Sequence, residues 1–196
     1  MMAETERGGL PILHFPDASA LEAWLAKQPA GHKGIWLKLA KKGAGVPSVT
    51  QREMVDAGLI HGWIDGLINR FDERFYLVRF TPRRPRSSWS LVNVERVGEL
   101  IAAGRMRPAG LAEVDRAKAD GRWDRAYPPA SRIAVPDDLK AALDGNDRAN
   151  AFFATLTGAN RYAILVRLHE TRSPASRARK IADYVGMLER GETIYR

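Results

Sequence analysis

Cysteine is absent from the sequence, which excludes disulfides, thiolate zinc sites and cysteine nucleophiles. Histidine is sparse, and His14, His32 and His169 are scattered at no metal-ligand spacing, so neither a metal site nor a cofactor is expected. No long apolar run occurs, and the opening MMAETERGGLPILHF lacks a basic segment followed by an apolar one. The expectation is a protein without a membrane span, located in the cytoplasm. Two catalytic signatures are missing as well. The loop KKGAGVPS is not followed by Gly-Lys-Ser/Thr at phosphate-loop spacing, and Ser87, Ser88 and Ser90 lack a Gly-x-Ser-x-Gly elbow. The most informative absence is local: from Arg74 to Val94 there is no Asp or Glu, against five arginines, Arg74, Arg79, Arg83, Arg84 and Arg86.

What is present is enough for a core. The 196 residues are 45% hydrophobic, and the net charge of +8 with a pI near 10.0 permits nucleic acid, anionic lipid or acidic ligands as partners. Met1 to Gly9 reads as a short polar leader, expected to be mobile. Leu10 to Phe15 reads as a strand, and Asp17 or Ser19 can cap a helix with Leu21, Trp24 and Leu25 on one face. Gly34 to Leu39 alternates like a half-buried strand. Thr50-Gln51-Arg52-Glu53 is a capping box, which starts a helix running to about His61. GWIDGLINR and FYLVRF pair as a β-hairpin around Phe71-Asp72-Glu73, with Trp63, Asp65, Leu67 and Asn69 on one strand face.

A helix over LVNVERVGELIAAG follows, with Val94, Val97 and Ile101 at helical spacing, Ser90 as N-cap and Gly104 as stop. PAGLAEVDRAKA, from Pro108 to Ala119, is another helix. Residues 123–136 carry Pro128, Pro129 and Pro136 and read as a linker. Four helices then follow, Asp137–Leu143, Asp147–Leu156, Asn160–Thr171 and Pro174–Arg190. In the last two, Ile164, Leu165 and Leu168 are expected to face Ile181, Val185 and Leu188. The fold expected is α+β: a mixed sheet with helices packed on one face over residues 1–122, then an all-helical module over residues 137–196.

The candidate site is a ligand-binding one at the arginine turn. Helix N-termini carry free N–H groups and a positive dipole end, and arginine forks pair with phosphate or carboxylate. Arg83, Arg84 and Arg86 would supply charge, Ser87 and Ser90 hydrogen bonds, and Trp63 and Trp89 an apolar wall, with Asp65 and Asn93 completing the set. The alternative is a solvated turn, or one whose arginines pair with internal carboxylates. An enzyme on a small phosphorylated or acidic substrate is a second reading. It would use His61 and Asp65 as base and orienter, although a helix-to-strand junction separates them. A third is nucleic-acid binding by the basic turn with Phe75, Tyr76, Phe80 and Trp89, without an RNA-recognition, KH or zinc-finger signature. In a fourth, the basic C-terminal helices dock an acidic protein partner.

GWIDG, FTPRRPRSSWSLVN, GRMRPAG and ANRYAILVRLHETRSPASRARKIADYVGMLERG together resemble the YdeI/OmpD-associated family of bacteriocin-protection proteins, over nearly the whole chain. The resemblance implies a small bacterial stress-response protein linked to antimicrobial-peptide resistance, with an envelope protein partner and no catalytic residues to carry over.

Overall fold

The computed structural model describes residues 5–29 and 31–195. Within them the chain forms two compact units. The first holds the residues up to Ser87 together with Asn93–Asp124, and the second holds Ser88–Val92 with Arg125–Arg196.

The first unit is a five-stranded mixed sheet. Its strands are β1 (Glu6–Arg7), β2 (Leu10–His14), β3 (Ile35–Ala40), β4 (Trp63–Arg70) and β5 (Phe75–Pro82), in the order β1-β2-β3-β5-β4. Only β2 and β3 run parallel, joined across helix α1 (Ala18–Leu25). Asp17 starts α1 by accepting the Ala20 N–H at 2.8 Å. Helix α2 (Gln51–His61) begins with the expected box: Thr50 Oγ1 accepts from Glu53 N, and Glu53 accepts from Thr50 N at 2.8 Å. Leu21, Leu25, Met54 and Ala57 of these helices pack on Ile35, Leu37, Leu39, Val78 and Phe80 of the sheet. Each large side chain buried in this way contributes roughly 1.5–3 kcal/mol. The fold is α+β, as the order of elements suggested.

Several local expectations need correction. Glu6 and Arg7 are not part of a loose leader. They pair antiparallel with β2, and Arg7 O accepts the Trp36 indole N–H at 2.9 Å; residues 1–4 lie outside the described residues. Strand β3 is buried on both faces rather than one, because Trp36 packs with Leu10 and Leu77 on the face away from α1 and α2. The hairpin register slips between Asp65 and Ile68. Such a bulge breaks the strict alternation, and it leaves Leu67 and Ile68 both exposed.

Helix α3 (Leu91–Ala102) buries Val97 and Leu100 while Ile101 points outward at 45% exposure, so the helix is rotated from the face its sequence suggested. Arg96 on α3 reaches the buried Asp56 of α2 with two bonds of 2.6 and 2.7 Å. Helix α4 (Pro108–Ala119) has Pro108 in its first turn.

The second unit is helical: α5 (Asp137–Asp144), α6 (Asp147–Thr155), α7 (Gly158–His169) and α8 (Pro174–Glu189). Leu139, Leu143, Phe153, Ile164, Leu168, Ile181 and Leu188 form its core. The α7 and α8 residues expected to face each other all join this cluster, but α8 packs more extensively on α6 than on α7. The reason is that Ala149 and Phe153 of α6 are buried in the same cluster. The irregular stretch before α5 is anchored to residues 88–92, since Tyr127 N donates to Trp89 O at 3.0 Å and Leu91 N donates to Tyr127 O at 2.9 Å.

Candidate functional site

The arginine turn begins where β5 ends. Arg83 N donates to Gly62 O at 2.9 Å, tying the turn to the end of α2, and the Arg83 side chain is buried. Arg84 N donates to Ser87 Oγ and Ser87 N donates to Arg84 O, both at 2.9 Å, closing a tight turn over Pro85 and Arg86. Ser87 O also accepts from Arg122 Nη1 at 2.7 Å. The Ser87 hydroxyl is thus engaged in shaping the backbone.

A cleft of about 610 Å³ opens beside this turn within the first unit. Its walls are the Gly8–Gly9 turn between β1 and β2, the segment before β3, the end of β5 and the first residues of the arginine turn. Lys33, Arg79, Arg83 and Arg84 line it together with His32, and no carboxylate does among the described residues. Arg79 and Arg84 form no ion pair among the described residues. Other arginines are paired with carboxylates, at Arg70–Glu73, Arg96–Asp56, Arg96–Glu99, Arg105–Glu22 and Arg116–Glu113, among others.

Gly34 is what brings the two sides together. Its φ is +103°, and a Cβ there would lie 2.4 Å from Thr81 Cγ2 and 2.8 Å from Phe80 O. Only glycine lets the backbone before β3 approach the end of β5 this closely, and His32, Lys33 and Arg79 line the same cleft. His32 Nδ1 accepts the Gly34 N–H at 2.9 Å. Lys33, Arg79 and Arg84 bring positive charge to one lining that holds no acid among the described residues, an arrangement that attracts anions.

The nine residues expected at the site fall in different places. Arg83 and Arg84 line the cleft. Trp63 is a core residue, its ring packed within 5.6 Å of those of Trp24, His32 and Phe80. Asp65 lies on β4 opposite Phe80. Arg86 is exposed at the tip of the turn, and Ser87 shapes that turn. Trp89 is buried in the second unit, where Ser90 bridges to Tyr127. Asn93 is half-buried in the first turn of α3.

At the N-terminus of α3 the Leu91 N–H is given to Tyr127 O, so one of the donors expected there is occupied. Lys33, Arg79 and His32 were missed as site residues. The available signal was Gly34 standing between two basic loop residues and a strand. The enzyme pair is not assembled either. His61 Nε2 is buried and has no hydrogen-bond partner among the described residues, Asp65 included.

Residues 132–191 match the family described as Bacteriocin-protection, YdeI or OmpD-Associated. That resemblance therefore covers about a third of the chain and not nearly all of it; GWIDG, the arginine turn and GRMRPAG fall outside it. No curated protein and no solved structure matches the chain. Residues 13–113, which contain β3 to β5, the arginine turn and the cleft's cations, match a second family over half of the chain, and the protein belongs to that family, described as Domain of unknown function (DUF8412).

Proposed function

We propose that this is a bacterial stress protein of the bacteriocin-protection type, acting in the cytoplasm, which works by binding a small phosphate- or carboxylate-bearing ligand in the cleft at the arginine turn. The C-terminal match supports the protective role. The ligand class rests on one observation: Lys33, Arg79 and Arg84 share a lining that contains no acid among the described residues. The proposal keeps the arginine turn as the charge source but turns it toward β5 and the segment before β3, away from α3. An envelope protein partner, implied by the C-terminal resemblance, remains part of the proposal. No helix among the described residues is long and apolar enough to cross a membrane.

The test uses inorganic phosphate and citrate as probes in thermal denaturation. A ligand at a hundred times its Kd stabilises by about 2.7 kcal/mol. Lys33→Ala combined with Arg84→Ala should abolish that stabilisation, while the unliganded protein stays within about 0.5 kcal/mol, since both side chains are exposed. Stabilisation retained in the double variant would refute the cleft. If a single-stranded oligonucleotide binds instead, with affinity falling steeply as salt rises, the nucleic-acid reading takes its place.

A further inference from the structure

A second cavity, of about 920 Å³, lies within the first unit where the end of α1, the α2–β4 junction and the start of α4 meet. This is within the size range of small-molecule sites. Two glycines lock its wall. A Cβ on Gly110 would lie 2.3 Å from Ile60 O, and one on Gly62, whose φ is +76°, would lie 2.9 Å from Ala109 O. The end of α2 and the start of α4 thus touch backbone to backbone. Arg107 N donates to Ile60 O at 3.2 Å across the same junction, so the backbone on either side of it, which carries His61 and Arg107, is held in place.

The polar groups here differ from those of the arginine-turn cleft. Glu113 is taken by Arg116, at 2.9 and 3.1 Å, and Glu22 by Arg105, at 2.8 Å. The Arg107 guanidinium makes no ion pair among the described residues. The lining holds three arginines and two glutamates, and Glu22 is paired by Arg105 from outside it. Burial, reinforced by Arg107 and opposed by Glu22, lowers the His61 pKa from 6.5, so the ring is neutral at pH 7. Its buried Nε2 has no partner among the described residues. Leu25, Trp63, Pro82, Ala109 and Ala112 form the apolar part of the wall.

We propose that this cavity is a second binding site, for an organic monocarboxylate with an apolar body. The carboxylate sits on Arg107, the body lies against Leu25, Trp63 and Ala112, and His61 Nε2 hydrogen-bonds the polar end. A neutral ligand leaves Arg107 without a counter-charge. Inorganic phosphate has no apolar body to set against Leu25, Trp63 and Ala112. The inference stands apart from the arginine-turn cleft, although Pro82 and Arg83 line both.

The experiment is isothermal titration of the full chain with octanoate, octan-1-ol and inorganic phosphate. Octanoate should bind, octan-1-ol roughly tenfold more weakly or not at all, and phosphate should not displace octanoate. Arg107→Ala should weaken octanoate at least roughly tenfold, with an unchanged melting temperature. Arg107→Lys should recover most of the affinity, and Ala112→Trp should block binding by filling the cavity. The Lys33→Ala/Arg84→Ala variant should bind octanoate as wild type does, so failure of the arginine-turn reading would leave this one untouched. The proposal is overturned if octanoate fails to bind at about 10 mM, or binds Arg107→Ala and Ala112→Trp as tightly as wild type. It is equally overturned if octan-1-ol binds as tightly as octanoate, or if the Lys33→Ala/Arg84→Ala change abolishes octanoate binding.

Discussion

Gly34→Ala should damage the first unit more than any single exposed substitution, and the cost can be worked from the backbone. At φ +103° an alanine is strained, by roughly 1–2 kcal/mol on the scale of left-handed backbone for residues with a Cβ. The added methyl also meets Thr81 Cγ2 at 2.4 Å and Phe80 O at 2.8 Å. Overpacking of this kind costs about 1–3 kcal/mol more. The sum, roughly 2–5 kcal/mol, is a large part of ordinary domain stability. Taking 3 kcal/mol and a urea m-value near 2 kcal/mol/M, the midpoint should fall by about 1.5 M.

The assay is urea denaturation followed by tryptophan emission, to which Trp24, Trp36, Trp63 and Trp123 contribute from the first unit. Adding Thr81→Ala removes the Cγ2 contact but leaves the Phe80 carbonyl and the strained φ, so the double variant should recover only about 1 kcal/mol. A loss below roughly 0.5 kcal/mol in the single variant would refute the close-approach argument. Complete recovery in the double variant would show that a side chain, not the backbone, sets the requirement for glycine.

Two further outcomes follow from the ion pairs. Arg96→Ala strands the buried Asp56 carboxylate and should destabilise by roughly 3 kcal/mol, the low end for a broken buried pair because Arg96 keeps 25% of its side chain exposed. A combined Asp56→Leu/Arg96→Met variant should restore most of that in the same urea assay, and no restoration would count against desolvation as the cause. In the second unit, hydrogen bonds from Arg177 hold the Asp138 pKa below its usual 3.8. A carboxylate depressed in the folded state contributes stability above its unfolded pKa and loses it as pH falls through the folded one. The stability difference between wild type and Arg177→Ala should therefore be constant at neutral pH and shrink below about pH 4. A difference unchanged at about pH 3 would mean that Arg177 acts through packing alone.

The sequence by itself determined the elements whose signals are local. The Thr50–Glu53 box, the Asp17 cap, the Pro108 start and the hairpin around Asp72 each act over a few residues, through hydrogen bonds that short stretches can complete on their own. It also determined that residues 74–94 carry arginine without acid. The tertiary structure decided which cations share a space. Lys33 and Arg79 are far apart in sequence and meet in one cleft because β3 pairs with β5 and Gly34 permits the close approach. Likewise, only the folded chain shows that the Leu91 N–H is already donated to Tyr127 and that Trp63 lies in an aromatic core. Convergence of side chains depends on the path of the whole backbone, and a residue's immediate neighbours in sequence carry no information about where that path returns.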